Sequence, residues 1–146
     1  MPSFGKVSKK ELSTCHEALQ VLFNKVVKEF DCSVLKGYRG EKEQNEAFDR
    51  GNSTLKYPNG KHNQNPSIAV DVIPYPEDWE DRERMSFFAG FVKGVSLNMG
   101  LKIRWGGDWN SDTQVKDNNF DDLVHFELVL YCLLYTSDAA DDRLCV

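Results

Sequence analysis

The segment Ser67–Ile73 constrains the fold of this chain more than any other. Ile68, Val70 and Val72 fall on one face of an extended segment, Ala69, Asp71 and Ile73 on the other, and Pro74 and Pro76 stop it. One face therefore joins an apolar core. The other carries a carboxylate inside a core-forming run, and an ionised Asp is costly to bury unless it is paired or bound to a cation. A second segment of this kind is Leu123–Leu130, where Val124, Phe126 and Leu128 are apolar and His125 and Glu127 share the opposite face. His62 ends a loop rich in Asn, Gly, Pro and Lys (52–66), placed to fold back over the strand that holds Asp71.

The rest of the chain supplies elements to cover such strands. Ser8-Lys-Lys-Glu11 has capping-box spacing and opens a helix expected over 8–30, with Leu12, Cys15, Leu19, Leu22, Val26 and Phe30 as its buried stripe. Cys32–Leu35 is a short strand running into the turn Gly37-Tyr38-Arg39-Gly40, and a polar helix follows at about 41–50, closed by Gly51. Asp78 is placed to cap a helix reaching Asn98, with Phe87, Phe88, Phe91, Val95 and Leu97 in its stripe and Gly100 beyond its end. Leu101–Trp105 is a strand, and 106–121 is a long acidic loop. This order of elements predicts an α+β fold, a small mostly antiparallel sheet with flanking helices.

Composition limits what such a domain can do. A chain of 146 residues has room for one domain of ordinary size. Its 18 Lys+Arg against 23 Asp+Glu give a net charge of −5, which argues against a mainly electrostatic grip on nucleic acid. No apolar run is long enough for membrane insertion, and the lysine-rich start lacks the apolar stretch of a secretory signal peptide. The four cysteines are scattered, with no C-x-x-C, and Cys15 and Cys32 read as small buried hydrophobes. The expectation is a small acidic monomer made in a cytoplasm.

Two imidazoles and one carboxylate, with a fourth position open, are a usual catalytic zinc set, so His62, Asp71 and His125 are candidate ligands for Zn2+. Zinc chemistry of that kind needs a proton shuttle, and Asp121 or Asp122 lies just upstream of His125. Each residue alone also has a structural reading: a hydrogen-bonded histidine, an aspartate paired with arginine, a solvated loop end. Trp105 and Trp109 flank Gly106-Gly107-Asp108, where they either wall a cleft or pack beside a tight turn. Asp108, Asn110 and Asp112 alternate like the start of a calcium loop. The glycine and glutamate that an EF-hand requires further on are missing, which leaves only a looser second cation site as an expectation.

Several runs resemble a known family. Gly60-Lys-His-Asn-Gln-Asn-Pro-Ser-Ile-Ala-Val-Asp71 is similar to the first metal motif of the peptidoglycan metallopeptidases related to D-Ala-D-Ala carboxypeptidases, in particular the phage L-alanyl-D-glutamate endopeptidases. Arg104-Trp-Gly-Gly-Asp-Trp-Asn110 and Asp122-Leu-Val-His-Phe-Glu-Leu128 resemble the other two signatures, and Gly37-Tyr-Arg39 with Glu43-Gln44 resembles the upstream arginine turn and helix. Eight residues separate His62 from Asp71, more than in the common form of the motif, as in phage-type relatives with a longer loop. The resemblance implies a D-Ala-D-Ala peptidase/hedgehog-like fold with His62, Asp71 and His125 as zinc ligands. It makes Asp122 the general base and acid, and sets Arg39 near a substrate carboxylate or the developing oxyanion. Glu127, Trp109 and Gln44 are then expected to support the ligands or touch substrate.

The implied activity is hydrolysis of an amide bond in the peptide stem of bacterial peptidoglycan, by an endolysin made in the host cytoplasm and acting at the wall after release. Two alternatives stand beside it: a D-Ala-D-Ala carboxypeptidase or dipeptidase, and a catalytically silent zinc module of a phage particle. After Tyr131 the run from Cys132 to Val146 resembles a translated sequencing adapter. The expected division is therefore a catalytic domain over 1–131 and a non-native tail over 132–146.

Overall fold

The two alternating segments become neighbouring strands, β2 (Ala69–Pro74) and β4 (Asp122–Tyr131). They pair antiparallel, with Val70 opposite Phe126 and Asp71 opposite His125. Strands β1 (Cys32–Lys36) and β3 (Leu101–Gly106) complete an antiparallel sheet in the order β1-β2-β4-β3. This computed structural model describes residues 1–131, so the tail expected over 132–146 lies outside the described residues.

Helices α1 (Lys6–Leu12), α2 (Glu17–Glu29), α3 (Glu41–Asp49) and α4 (Arg82–Asn98) surround the sheet. The core forms where Val34, Val70, Val72, Phe126 and Leu128 meet Leu19, Leu22, Phe23 and Val26 of α2 and Phe88, Ala89 and Val92 of α4. Phe126 lies edge-on to Phe23 and Phe88, with ring centroids 5.6 Å and 6.0 Å away, the aromatic geometry that adds to simple burial. Strand alternation then places Asp71, His125 and Glu127 on the face away from this core. The expected α+β architecture holds, and no helix among the described residues is long and apolar enough to cross a membrane.

Two expectations about the helices need correction. The helix expected over 8–30 is two, broken at 13–16. There Ser67 donates its N–H to Thr14 O and accepts from His16 N–H, so a tertiary contact with the approach to β2 takes the place of helical hydrogen bonds. His16 Nδ1 caps α2 by accepting from Ala18 N–H. Ser8 caps nothing: it lies within α1, and its Oγ accepts from Val34 N–H in β1. Glu11, the other half of the expected capping box, accepts from Gly37 N–H. Gly37 passes so close to this break that a Cβ would collide with the Thr14 hydroxyl and the Glu11 carbonyl.

Helix α4 begins later than expected, capped by Asp81, whose Oδ1 accepts from Arg84 N–H at 3.0 Å, while Asp78 closes a local turn onto Glu80 N–H. Its buried positions are Met85, Phe88, Ala89, Val92 and Ser96, at three- and four-residue spacing. Phe87 and Leu97 lie off that face and are 71 % and 67 % exposed.

Cys15 and Cys32 are free and buried, and burial pushes both thiols up to about 12. The thiolate is the reactive form. Iodoacetamide at pH 8 is therefore expected to leave Cys15 and Cys32 unmodified in the folded protein and to label both after denaturation. Peptide mapping checks this, and labelling of either in the native protein would contradict it.

Candidate functional site

Three elements bring the site together. Strand β2 presents Asp71, β4 presents His125 directly opposite, and a single 3-10 turn (Lys61–Asn63) holds His62 above them. Asn63 fixes this turn: its Oδ1 accepts from Gly60 N–H, and its Nδ2 donates to Arg39 O and Gln44 Oε1. Arg39 N–H donates to His62 O, closing the link between the arginine turn and the histidine turn. Gln44 of α3, 1 % exposed, ties the surrounding loop down by donating to Ser53 Oγ and Leu55 O. Its Oε1 also accepts from Arg39 Nη1 at 3.3 Å.

His62 Nε2 lies 3.1 Å from Asp71 Oδ1, and His125 Nδ1 lies 3.4 Å from the same oxygen. The outer ring nitrogens settle the tautomers. His62 Nδ1 is 2.7 Å from Gly37 O, a carbonyl that can only accept, so Nδ1 carries the hydrogen. His125 Nε2 is 2.8 Å from Glu127 Oε1. Burial raises the Glu127 carboxyl, but His125 and Arg104 outweigh it and hold it at about 2, so Nε2 donates to an ionised acceptor. When the rings are neutral, the lone pairs of His62 Nε2 and His125 Nδ1 therefore converge on the Asp71 carboxylate.

Lone pairs directed at an anion repel it unless a cation or a proton stands between them, and the electrostatics agree. Burial works against ionised Asp71, yet the two histidines hold its carboxyl well below the usual range. Burial likewise works against charged His125, yet Asp71 and Glu127 lift it to about 9. The site favours positive charge. One ligand atom from each of His62, Asp71 and His125 lies within 4.8 Å of the others, the one such cluster of His, Cys, Asp or Glu among the described residues. A metal fits this donor set, because each imidazole has a fixed outer partner and a free inner nitrogen.

Around the cluster lies an open cavity of about 860 Å³ lined by the eight residues to which the resemblance gives a role: Arg39, Gln44, His62, Asp71, Trp109, Asp122, His125 and Glu127. Asp122 Oδ2 is 4.0 Å from His125 Nδ1, and burial followed by the Asp71 charge raises its carboxyl. Asp121 is committed elsewhere, accepting from Arg82 Nη2 at 2.8 Å and Asn118 Nδ2 at 3.2 Å. Arg39 Nη2 stands 3.8 Å from Asp71 Oδ2, and its buried Nε makes no hydrogen bond.

The tryptophans separate. Trp105 is 3 % exposed and packs in the core, donating to Leu123 O. Trp109 lines the cavity, its ring 5.4 Å from that of His125, stacked on Phe120 and donating to Phe120 O. In the acidic loop the Asp108 carboxylate accepts from Asp112 N–H and Thr113 N–H, and Asp112 Oδ1 accepts from Gln114 N–H, so these side chains fold the loop onto its own backbone.

Sequence reasoning missed Arg104, whose Nε and Nη2 hold Glu127 Oε2 at 3.2 Å and 2.6 Å. Its signal lies in strand register, Arg104 opposite Glu127, which appears only once β3 is paired with β4.

The family model for phage L-alanyl-D-glutamate peptidases matches residues 2–129. The chain belongs to this family. A curated member, the L-alanyl-D-glutamate peptidase of Escherichia phage T5, is 29 % identical over 135 residues, covering 86 % of this chain and 97 % of the relative. The crystal structure of the Serratia marcescens L-Ala D-Glu endopeptidase ChiX shares the fold at a TM-score of 0.69 and 23 % identity, over 88 % of this chain and 91 % of that one. The matched span contains every residue of the cluster and stops at the end of the site-bearing part of β4.

Proposed function

We propose that this chain is a zinc-dependent L-alanyl-D-glutamate endopeptidase that cuts the peptide stem of bacterial peptidoglycan, as a phage endolysin does. The observation that carries the reading is the convergence of His62 Nε2 and His125 Nδ1 on Asp71 Oδ1, with Asp122 at 4.0 Å, in a chain of the phage peptidase family. Two imidazoles and one carboxylate suit zinc among the divalent metals. When bound, zinc supplies Lewis acidity: it acidifies a water and polarises a carbonyl.

The side chains do the rest. Asp122 accepts a proton from the attacking water and passes it to the leaving amine; its raised carboxyl brings it nearer the balance that two-way proton transfer needs. Arg39, backed by Gln44, presents its guanidinium beside Asp71 to a substrate carboxylate or the developing oxyanion, with a planar fork that lysine lacks. Glu127 holds the His125 tautomer and ring, and Trp109 walls the cleft. Residues 1–131 form the catalytic domain in this reading, and every residue given a role here lies within it.

Digestion of purified peptidoglycan by the zinc-loaded protein, followed by mass spectrometry, tests the reading. New C-terminal L-alanine and N-terminal D-glutamate ends are expected. Release of D-alanine alone would identify a carboxypeptidase instead, and intact muropeptides would contradict both enzymatic readings and favour a silent zinc module.

A further inference from the structure

A D-glutamyl residue joined to L-alanine through its amine and extended through one carboxyl keeps the other carboxyl free. The bond cut in the proposed function therefore has an anion within one residue of it, on the leaving-amine side. An enzyme for that bond gains by meeting this anion with a cation beside the cluster.

Three cations line the cavity: Arg39, Arg104 and Lys61. Arg39 is held by Gln44 against Asp71, beside the cluster itself, which assigns it to the developing oxyanion in this proposal. Arg104 is different. Both nitrogens it uses, Nε and Nη2, bind the same oxygen of Glu127, and none of the hydrogen bonds among the described residues uses Nη1. The other oxygen of Glu127 is held by His125, so this carboxylate is engaged on both sides. The guanidinium, with its side chain 36 % exposed, is only two hydrogen bonds from the ring of His125.

A second cavity of about 660 Å³ adjoins the first across Arg104, Glu127 and Lys61, which line both. Gln64, Asn65 and Ile68 are among its other walls, and Glu127 is the one carboxylate there. Lys61 is exposed and forms no ion pair among the described residues. Two cations, one with an unused donor edge, thus stand where a groove of mixed polar and apolar walls meets the cavity around the cluster.

We propose that Arg104 and Lys61 form a subsite for the free carboxylate of the D-glutamyl residue and so select a glutamate-containing stem over its amidated form. This rests on the endopeptidase reading above and adds the determinant of specificity to it. A primary amide in place of the carboxylate loses the charge-assisted bonds and brings its own N–H donors against the guanidinium and ammonium, which can only donate.

The test compares kcat/KM of the zinc-loaded protein on L-alanyl-γ-D-glutamyl-L-lysine and on its D-isoglutaminyl counterpart. The glutamate form is expected to be cut roughly tenfold better. Arg104→Gln is expected to bring the ratio close to one, Lys61→Met to reduce it severalfold, and Arg104→Lys to restore part of it. Any loss that Arg104→Gln causes through Glu127 and His125 lowers both substrates alike and cancels in the ratio. Equal cleavage of both peptides by the unsubstituted protein would overturn the subsite alone, as would a ratio that Arg104→Gln and Lys61→Met leave unchanged. Cleavage of neither would overturn the endopeptidase reading and the subsite with it.

Discussion

Asp122→Asn is expected to keep zinc at one equivalent and to lose about 10²–10⁴ in kcat, the usual contribution of a positioned proton-transfer group. The substitution preserves shape and removes the group that accepts the proton. Asp122 lies three residues before His125 on β4, with its Oδ2 4.0 Å from His125 Nδ1 and its carboxyl raised by burial and by Asp71. Its backbone is held close to β3, where a Cβ at Gly106 would collide with the Asp122 carbonyl. Asp121 makes a poor substitute, since Arg82 and Asn118 already occupy its carboxylate. Full activity in Asp122→Asn would show that the base is another residue. Metal analysis beside single-turnover rates separates loss of the proton carrier from loss of the metal.

His125→Ala has the second large effect, and it has the opposite signature: both zinc and turnover are lost. Removing an outer partner of a metal ligand typically costs about 10–100-fold in affinity, and removing the ligand itself costs more. His125 is buried between Asp71 and Glu127, so its loss also leaves two carboxylates facing a void without the ring that separates them. Equilibrium dialysis against zinc gives the affinity, and circular dichroism establishes that the variant is folded. Unchanged zinc affinity in a folded His125→Ala protein would remove this residue from the ligand set.

Much of this site was legible from local pattern. Alternation in the Ser67–Ile73 and Leu123–Leu130 segments put Asp71 and His125 on a face opposite the core residues, because side chains of a strand alternate whatever its partners are. The two segments become adjacent strands with those residues directly across from each other. His62 was legible as a residue able to fold back, although its hold on Gly37 O depends on a turn distant in sequence.

What escaped the sequence depends on contacts between distant segments. The stripe Leu12–Cys15–Leu19 continues through the break at 13–16 without a gap, since Cys15 is buried either way; only the bridge to Ser67 shows that the helix stops there. Asp78 and Asp81 are equally good caps by type, and the tertiary position of α4 selects the later one. Phe87 looks like a stripe residue because it is aromatic, yet its angle on the helix turns it outward against Phe30. Arg104 carries no local signal for the same reason, since its importance lies in facing Glu127 across a strand pair.

The central claim is that His62, Asp71 and His125 together hold one zinc ion. X-ray absorption at the zinc edge of the loaded protein tests it most directly. One zinc per chain is expected, with a first shell of nitrogen and oxygen alone, outer scattering from two imidazoles, and in His62→Ala either loss of the zinc or scattering from one imidazole. A shell containing sulfur, or imidazole scattering unchanged in His62→Ala, would contradict it.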